Sequence, residues 1–166
     1  MLISLNWLKQ YVDLDGVDIK EMERALTMIG QEVEKIEIKG ENLEKVITAK
    51  IIEKEMHKDS DHLTVCKVDT GKEVLQIVCG APNHKAGDKV ALAQVGARLS
   101  EDFVIKKGKI RGEESNGMLC SEAELGIGSD ENGIIILPED TPIGVPMKEY
   151  LGVDDVVFEL EITPNR

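Results

Sequence analysis

Five side chains near the middle of the sequence offer the nitrogen and sulfur atoms that zinc binding or nucleophilic chemistry requires: His57, His62, Cys66, Cys79 and His84. The sequence contains no Cys-x-x-Cys pair, and the one helix-like interval, His62 to Cys66, falls in a strand pattern. A Cys-His nucleophile needs a third group to orient the base, and no sequence element supplies one. We therefore predict no metal site and no catalytic residue in this chain.

Binding chemistry is better supported than catalysis, because basic residues are concentrated in one part of an acidic chain. The formal net charge is -12, which is unfavourable for contact with phosphates. Between Ala81 and Gly112, however, seven basic residues outnumber three acidic ones, a local charge of +4 that leaves -16 for the remainder. The basic residues are Lys85, Lys89, Arg98, Lys106, Lys107, Lys109 and Arg111. Such a segment can contact RNA, although overall repulsion should make binding weak and salt-sensitive.

Two polar loops accompany this basic segment. Gly80 to Asn83 directly follows a strand pattern, and Ser115 to Gly117 contains an Asn-Gly turn signal. Either run alone is typical of a simple loop between strands. Taken together with the basic residues, they give a candidate RNA-binding set, which is Asn83, Lys85, Arg98, Lys106, Lys109, Arg111, Ser115 and Asn116. Alternation of Lys109 and Arg111 with Ile110 predicts basic side chains on one strand face and the isoleucine in the core.

The elements that must position these residues change character along the chain. Apolar residues at helical spacing predict a helix from Asp18 to Gly30, with a shorter helix over residues 5–12. Period-two patterns predict strands at 44–55, 63–69, 73–79, 89–95, 133–137 and 155–162, with a short helical piece at 121–125. Several short strands joined by turns are typical of a small barrel. We place the barrel at residues 40–150, with boundaries near Lys39 and Leu151.

Composition limits the class of protein. A chain of 166 residues with 42% apolar content can bury one good core and a small satellite unit. No apolar run approaches the roughly 18 residues of a membrane span, and the N-terminus lacks a signal-peptide layout. Three widely spaced cysteines argue against a disulfide framework. We therefore expect a cytoplasmic protein with no membrane contact.

Three segments resemble one family. LQIVCGAPN at 75–83 and KIRGEESNGMLCSEAELG at 109–126 are similar to the signature of the tRNA-binding OB domain of aminoacyl-tRNA synthetases. With MLISLNWLKQYVDL before them and ELEITPNR at 159–166, their order resembles the bacterial phenylalanine-tRNA ligase beta-subunit family. The match departs at residues 58–60, where Lys-Asp-Ser stands in place of the family's Pro-Asn-Ala. The resemblance implies an α+β fold, in which the OB-fold β-barrel at 40–150 is inserted into a small, discontinuous α/β domain formed by residues 1–39 with 151–166.

The same resemblance implies a function. The chain is expected to be the N-terminal tRNA-binding part of a ligase that charges tRNA with phenylalanine, using ATP and magnesium, in an assembly of two alpha and two beta subunits. Catalytic, editing and anticodon-binding residues are expected to lie outside this chain, which should hold no cofactor and be inactive alone. Phe103 is the only aromatic residue inside the barrel region, with Tyr150 at its far edge, so we expect the barrel to read RNA shape and backbone.

Two other functions are consistent with the residues. One is a free-standing, structure-specific tRNA-binding module, although such a module needs neither the first 40 residues nor the ELEITPNR segment. The other is a protein-interaction scaffold domain, whose acidic surface contacts protein and whose basic segment has no role. Measured RNA affinity separates the scaffold from the two RNA-binding alternatives.

Overall fold

A computed structural model describes residues 1–164, so Asn165 and Arg166, the end of the ELEITPNR segment, lie outside the described residues. The chain divides into two compact units. The first comprises Met1–Glu41 together with the chain from Gly152 onward, and the second is Asn42–Leu151. The second unit is therefore inserted, in chain order, into the first.

The discontinuous unit is a three-stranded antiparallel sheet with two helices. Its elements are β1 (Leu2–Ser4), α1 (Leu5–Leu8), α2 (Ile19–Met28), β2 (Val33–Ile38) and β13 (Val156–Leu160). The strand order is β1-β13-β2, so the late strand lies between the two early ones. Buried Phe158 and Leu160 pack with apolar residues of α2, including Met22 and Leu26. The predicted long helix is confirmed, and Asp18 caps it by accepting hydrogen bonds from the backbone N–H groups of residues 20 and 21.

Asp155 joins the two chain segments of this unit. Its carboxylate accepts hydrogen bonds from the Ser4 hydroxyl at 2.5 Å and from the Asn6 backbone N–H at 3.0 Å. Burial alone would raise the pKa of Asp155, but these hydrogen bonds, with one from the Val156 N–H, outweigh it and hold the pKa below its usual range. Because the donors lie on both segments, the carboxylate links the start of the chain to β13.

The inserted unit is built from short strands. They are β3 (Val46–Met56), β4 (Thr64–Asp69), β5 (Val74–Cys79), β6 (Lys89–Gln94), β7 (Arg98–Ser100), β8 (Phe103–Val104), β9 (Gly108–Ile110), β10 (Glu113–Ser115), β11 (Gly117–Leu119) and β12 (Ile136–Leu137). The helical pieces are α3 (Glu122–Leu125), α4 (Met147–Tyr150) and a 3-10 turn (Glu41–Leu43) that begins at the boundary between the two units.

The main sheet of the inserted unit curls into a nearly closed barrel. Its antiparallel order is β11-β6-β3-β4-β5, with β12 added to β6. The two ends meet where the Asn116 N–H donates to the Gln76 carbonyl at 2.9 Å. Fully buried Ile51, Ile77 and Leu92 belong to its core. The predicted fold class, an OB-type barrel with a small α/β unit, is confirmed.

Residues 142–146 run beside the first half of the longest strand, β3, and bond to it. Thr48 is fully buried, its hydroxyl donates to the Pro142 carbonyl at 2.6 Å, and its backbone N–H donates to the Val145 carbonyl at 2.9 Å. An isolated bridge pairs Ile47 with Pro146. The first half of β3, residues 46–51, is therefore buried or half-buried on both faces rather than alternating as its sequence pattern predicts, whereas residues 52–56 are mostly exposed.

Other differences from the sequence predictions have local causes. The predicted strand at 133–137 shortens to Ile136–Leu137 because the backbone of Ile134 is hydrogen-bonded to the Asn83 side chain. The sequence patterns do not predict strands β1 and β2. β1 is only three residues long, and the half-buried residues of β2, Val33 and Ile36, are three positions apart, so neither strand shows a period of two.

Gly117, at the start of β11, should not tolerate a side chain. Its φ of 143° is one that L-residues rarely adopt, and a Cβ would lie 2.7 Å from the Ala93 carbonyl oxygen. We expect Gly117→Ala to lower the free energy of unfolding by about 2–4 kcal/mol, measured by urea denaturation. Gly108→Ala is the matched control, since a Cβ there meets nothing within 4 Å. Equal stability of the two variants would contradict this account of barrel closure.

Candidate nucleic-acid interface

Ser115, in the second signature segment, closes the barrel wall. Its buried hydroxyl accepts a hydrogen bond from the Val78 N–H at 3.1 Å and donates to the Gly117 carbonyl at 3.1 Å. The hydroxyl therefore acts as donor and as acceptor within the protein. The backbone N–H of the neighbouring Asn116 is bonded to the Gln76 carbonyl. The structure thus gives Ser115 a structural role, while RNA contact by Ser115 or Asn116 stays a prediction.

Asn83, in the first signature segment, clamps a neighbouring loop. Its side-chain amide donates to the Ile134 carbonyl at 2.9 Å and accepts from the Ile134 N–H at 3.1 Å. Gly133 is required beside it because a Cβ there would overlap the Asn83 side chain. Lys85 follows in an exposed turn, where its backbone N–H bonds to the Asp88 carboxylate at 2.9 Å. The predicted RNA contacts of Asn83 and Lys85 remain untested predictions.

The signature segments line an acidic groove. This signature groove, of about 470 Å³, has apolar walls that include Ala81, Pro82 and Met118, and its charged lining residues within the described chain are Glu124 and Glu131. The Glu124 carboxylate also accepts from the Ser121 N–H at 2.6 Å in a capping box on α3. Because no cation among the described residues lines it, the signature groove should repel phosphate rather than bind it.

The β9–β10 hairpin reverses the chain at Arg111, so one prediction about its side chains is wrong. Arg111 and Gly112 have φ values of 49° and 87°, which is the pattern of a two-residue type I′ turn. Arg111 therefore leaves the strand, and Ile110 is 41% exposed rather than in the core. The Arg111 guanidinium donates to the Asp59 carbonyl at 2.8 Å.

A second contact holds the same hairpin. The ring of buried His57 accepts from the Asp59 N–H at Nδ1, at 3.0 Å, so the proton lies on Nε2, which donates to the Ile110 carbonyl at 3.0 Å. His57 and Arg111 together attach the hairpin tip to the loop at 57–63. These contacts hold the backbone of the hairpin whose strand β9 carries Lys109.

Lys106 and Lys109 come together around a small pocket, which we call the lysine pocket. It measures about 220 Å³ and is lined by Val78, Phe103, Val104, Ile105, Lys106, Gly108, Lys109, Ile110, Ser115, Gly117 and Met118. Within residues 1–164, neither lysine ammonium has a hydrogen-bond or ion-pair partner. Both lysines are exposed, as is the adjacent Lys107.

The predicted site residues therefore divide into separate groups. Lys106 and Lys109 share the lysine pocket, and Ser115 forms part of its wall. Arg98 lies on β7, paired with Val104, and donates to the Glu101 carbonyl at 3.1 Å. The sequence patterns do not predict that Phe103 lies beside the two lysines. The one sign of a special role in the sequence is that Phe103 is the only aromatic residue between residues 40 and 149.

The alternative Cys-His chemistry lies in the barrel core. Cys66 Sγ is 3.4 Å from His84 Nε2, and both residues are buried. Burial raises the pKa of the Cys66 thiol, while burial and nearby Lys54 lower the pKa of His84. Both shifts favour the uncharged forms, the opposite of an activated thiolate–imidazolium pair. Within residues 1–164, no three His, Cys, Asp or Glu side chains form a group that could hold a metal ion.

Comparison with known proteins identifies the barrel. Residues 46–146 match the family described as "Putative tRNA binding domain". Over its whole length the chain is 60% identical to the phenylalanine–tRNA ligase beta subunit of Fusobacterium nucleatum and 54% identical to that of Geobacter metallireducens. It spans 21% of the length of each.

A solved structure is also similar. A methionyl-tRNA-synthetase-related protein from Pyrococcus horikoshii is 26% identical, with a TM-score of 0.46, and the match covers 60% of this chain and 85% of that protein.

Among the described residues, no helix has the length and apolar character needed to cross a bilayer.

The three buried cysteines should be unreactive in the folded protein. Burial raises the pKa of Cys79 to about 11 and of Cys120 to about 12, so their thiolate fractions at a pH of about 8.5 are small. We expect iodoacetamide to label all three only after denaturation. An exposed thiol introduced by Lys72→Cys should label rapidly as the control. Rapid labelling of Cys79 in the native protein would contradict the described burial.

The same thiols make stability depend on pH. Unfolded thiols lose their protons near a pH of about 8.5, whereas folded Cys79 and Cys120 keep theirs until about 11 and about 12. The folded state then binds more protons, so stability should fall as pH rises above about 9. Urea denaturation at about pH 8 and about pH 10 measures this. Replacing Cys120 by Ala should reduce the difference between the two pH values.

Proposed function

The chain belongs to the tRNA-binding domain family, and we propose that it is the tRNA-binding part of a phenylalanine-tRNA ligase beta subunit. The support is the family match over residues 46–146 combined with 60% identity to a named beta subunit across the whole chain. Its role is to hold tRNA and to contribute to subunit architecture. Aminoacylation itself is assigned to other parts of the ligase, because this chain is about a fifth as long as its relatives.

The remaining features of the ligase are part of the same proposal. We propose that an alpha subunit is the partner, in an assembly of two alpha and two beta subunits in the cytoplasm. ATP and magnesium would act elsewhere in the enzyme. The described residues offer no carboxylate cluster suited to a metal ion, so no chemical step through either group is assigned to this chain.

The RNA surface that we propose is the one around Lys106, Lys107 and Lys109. This choice rests on a single observation: two lysines without protein partners in the described chain border one pocket that no described carboxylate lines. The signature groove, by contrast, presents Glu124 and Glu131. Lysine contacts phosphate as a point charge, which carries no sequence information. The chain should therefore bind different tRNAs with similar affinity.

Titration with tRNA tests this function. We expect the unmodified chain to bind tRNA for phenylalanine and an unrelated tRNA equally, more tightly at low salt than at physiological salt. Replacing Lys106 and Lys109 by Ala should weaken both roughly tenfold and reduce the salt slope by about 1 for each phosphate that is no longer neutralised. Lys20→Ala with Lys35→Ala is the charge-matched control, since both residues are exposed in the other unit.

Two results would contradict parts of the proposal. If no RNA binds even at low salt, the isolated chain has no RNA-binding role, and the alternative of a protein-interaction scaffold domain is favoured. If both lysine pairs weaken binding equally, the effect follows net charge and the lysine pocket is not the contact surface. The other candidates, including Arg111 and Arg98, can be compared by the same titration.

A further inference from the structure

We propose that the lysine pocket binds one unpaired nucleotide, with its base on Phe103 and its phosphate at Lys106 and Lys109. The inference rests on the proposed RNA-binding function and specifies the kind of RNA element that this surface takes. Phe103, Lys106 and Lys109 all line the same pocket.

Phe103 is placed to stack a base. It lies on β8, in the β7–β8 hairpin, and is 44% exposed, whereas the nearby Ile105 is 5% exposed and forms part of the apolar lining. The exposed ring of Phe103 and the apolar lining beside it can both contact the face of a base. Stacking of this kind tolerates any of the bases, because each has a π-face.

The charges around the pocket favour a phosphate at its rim. Lys106 and Lys109 are the charged lining residues, and neither is engaged by the described part of the chain. The acidic pair Glu101 and Asp102 lies at the tip of the β7–β8 hairpin and does not line the pocket. A ligand with an apolar face and a negative charge therefore fits this pocket and not the signature groove.

The ligand must be an unpaired nucleotide rather than a base pair. In a continuous A-form duplex the base faces are covered by neighbouring pairs, so an aromatic side chain reaches only bases that loops, bulges or single-stranded ends leave free. One aromatic residue provides one stacking surface. The pocket thus adds a preference for RNA with unpaired nucleotides to the backbone contacts that the lysines make with any RNA.

The test compares two RNAs and a set of variants of the full chain. The RNAs are an unmodified tRNA transcript and a blunt, fully paired duplex with the same number of nucleotides. We expect Phe103→Leu to weaken tRNA binding about tenfold and duplex binding less than about twofold. Phe103→Trp should retain tRNA affinity, because its ring also stacks. Ile136→Ala, at a 42% exposed apolar residue of the same barrel, is the control.

The outcomes separate this inference from the proposed function. If Phe103→Leu binds tRNA like the unmodified chain while Lys106→Ala with Lys109→Ala weakens it, the stacking inference is wrong and the proposed function stands. If Phe103→Leu weakens duplex and tRNA equally, Phe103 does not contact an unpaired base. If the lysine pair has no effect on either RNA, both proposals fail at this surface. Circular dichroism melting of each variant tests whether its fold is intact.

Discussion

Closure of the barrel between β5 and the Ser115–Gly117 segment is the constraint on which the candidate site depends. A side-chain hydroxyl satisfies the Val78 N–H, a backbone bond joins Asn116 to Gln76, and Gly117 passes so close to Ala93 that no side chain fits. A buried N–H left without a partner would cost about 1–3 kcal/mol. The Ser-Asn-Gly segment thus has a structural reason that does not involve RNA, and it positions β9, β10 and the lysine pocket.

Much of the fold follows from local patterns in the sequence. The period-two runs predict β3 to β6, and Asp18 marks the start of the long helix. Burial of both faces of β3 could not be predicted in this way. It depends on Thr48 meeting residues 142 and 145, which are nearly a hundred positions away along the chain. The type I′ turn between β9 and β10 is not predicted for a different reason. Arginine rarely adopts a positive φ, so Arg111 gives no sequence signal for such a turn.

The candidate site is only partly predictable for the same reason. Residue type identifies Lys106 and Lys109 as candidate contacts to phosphate. It cannot show that the side-chain amide of Asn83 is already hydrogen-bonded to the Ile134 backbone. Nor can it show that the signature segments line an acidic groove, because Glu131 reaches that groove from a separate loop. The charge separation matters physically: in a chain of net charge -12, a local basic surface gives weak, strongly screened attraction that is effective only at short range.

The bridge between Ile47 and Pro146 places the first strand of the barrel beside its last segment. A domain whose chain enters and leaves at neighbouring points can be inserted into a single loop of another domain with little extra loop-closure entropy. The core around Phe158 is built from residues of the discontinuous unit, so insertion of the barrel requires no change in that core. The same geometry implies that a short linker could replace residues 46–146 and still connect the two segments of the host unit.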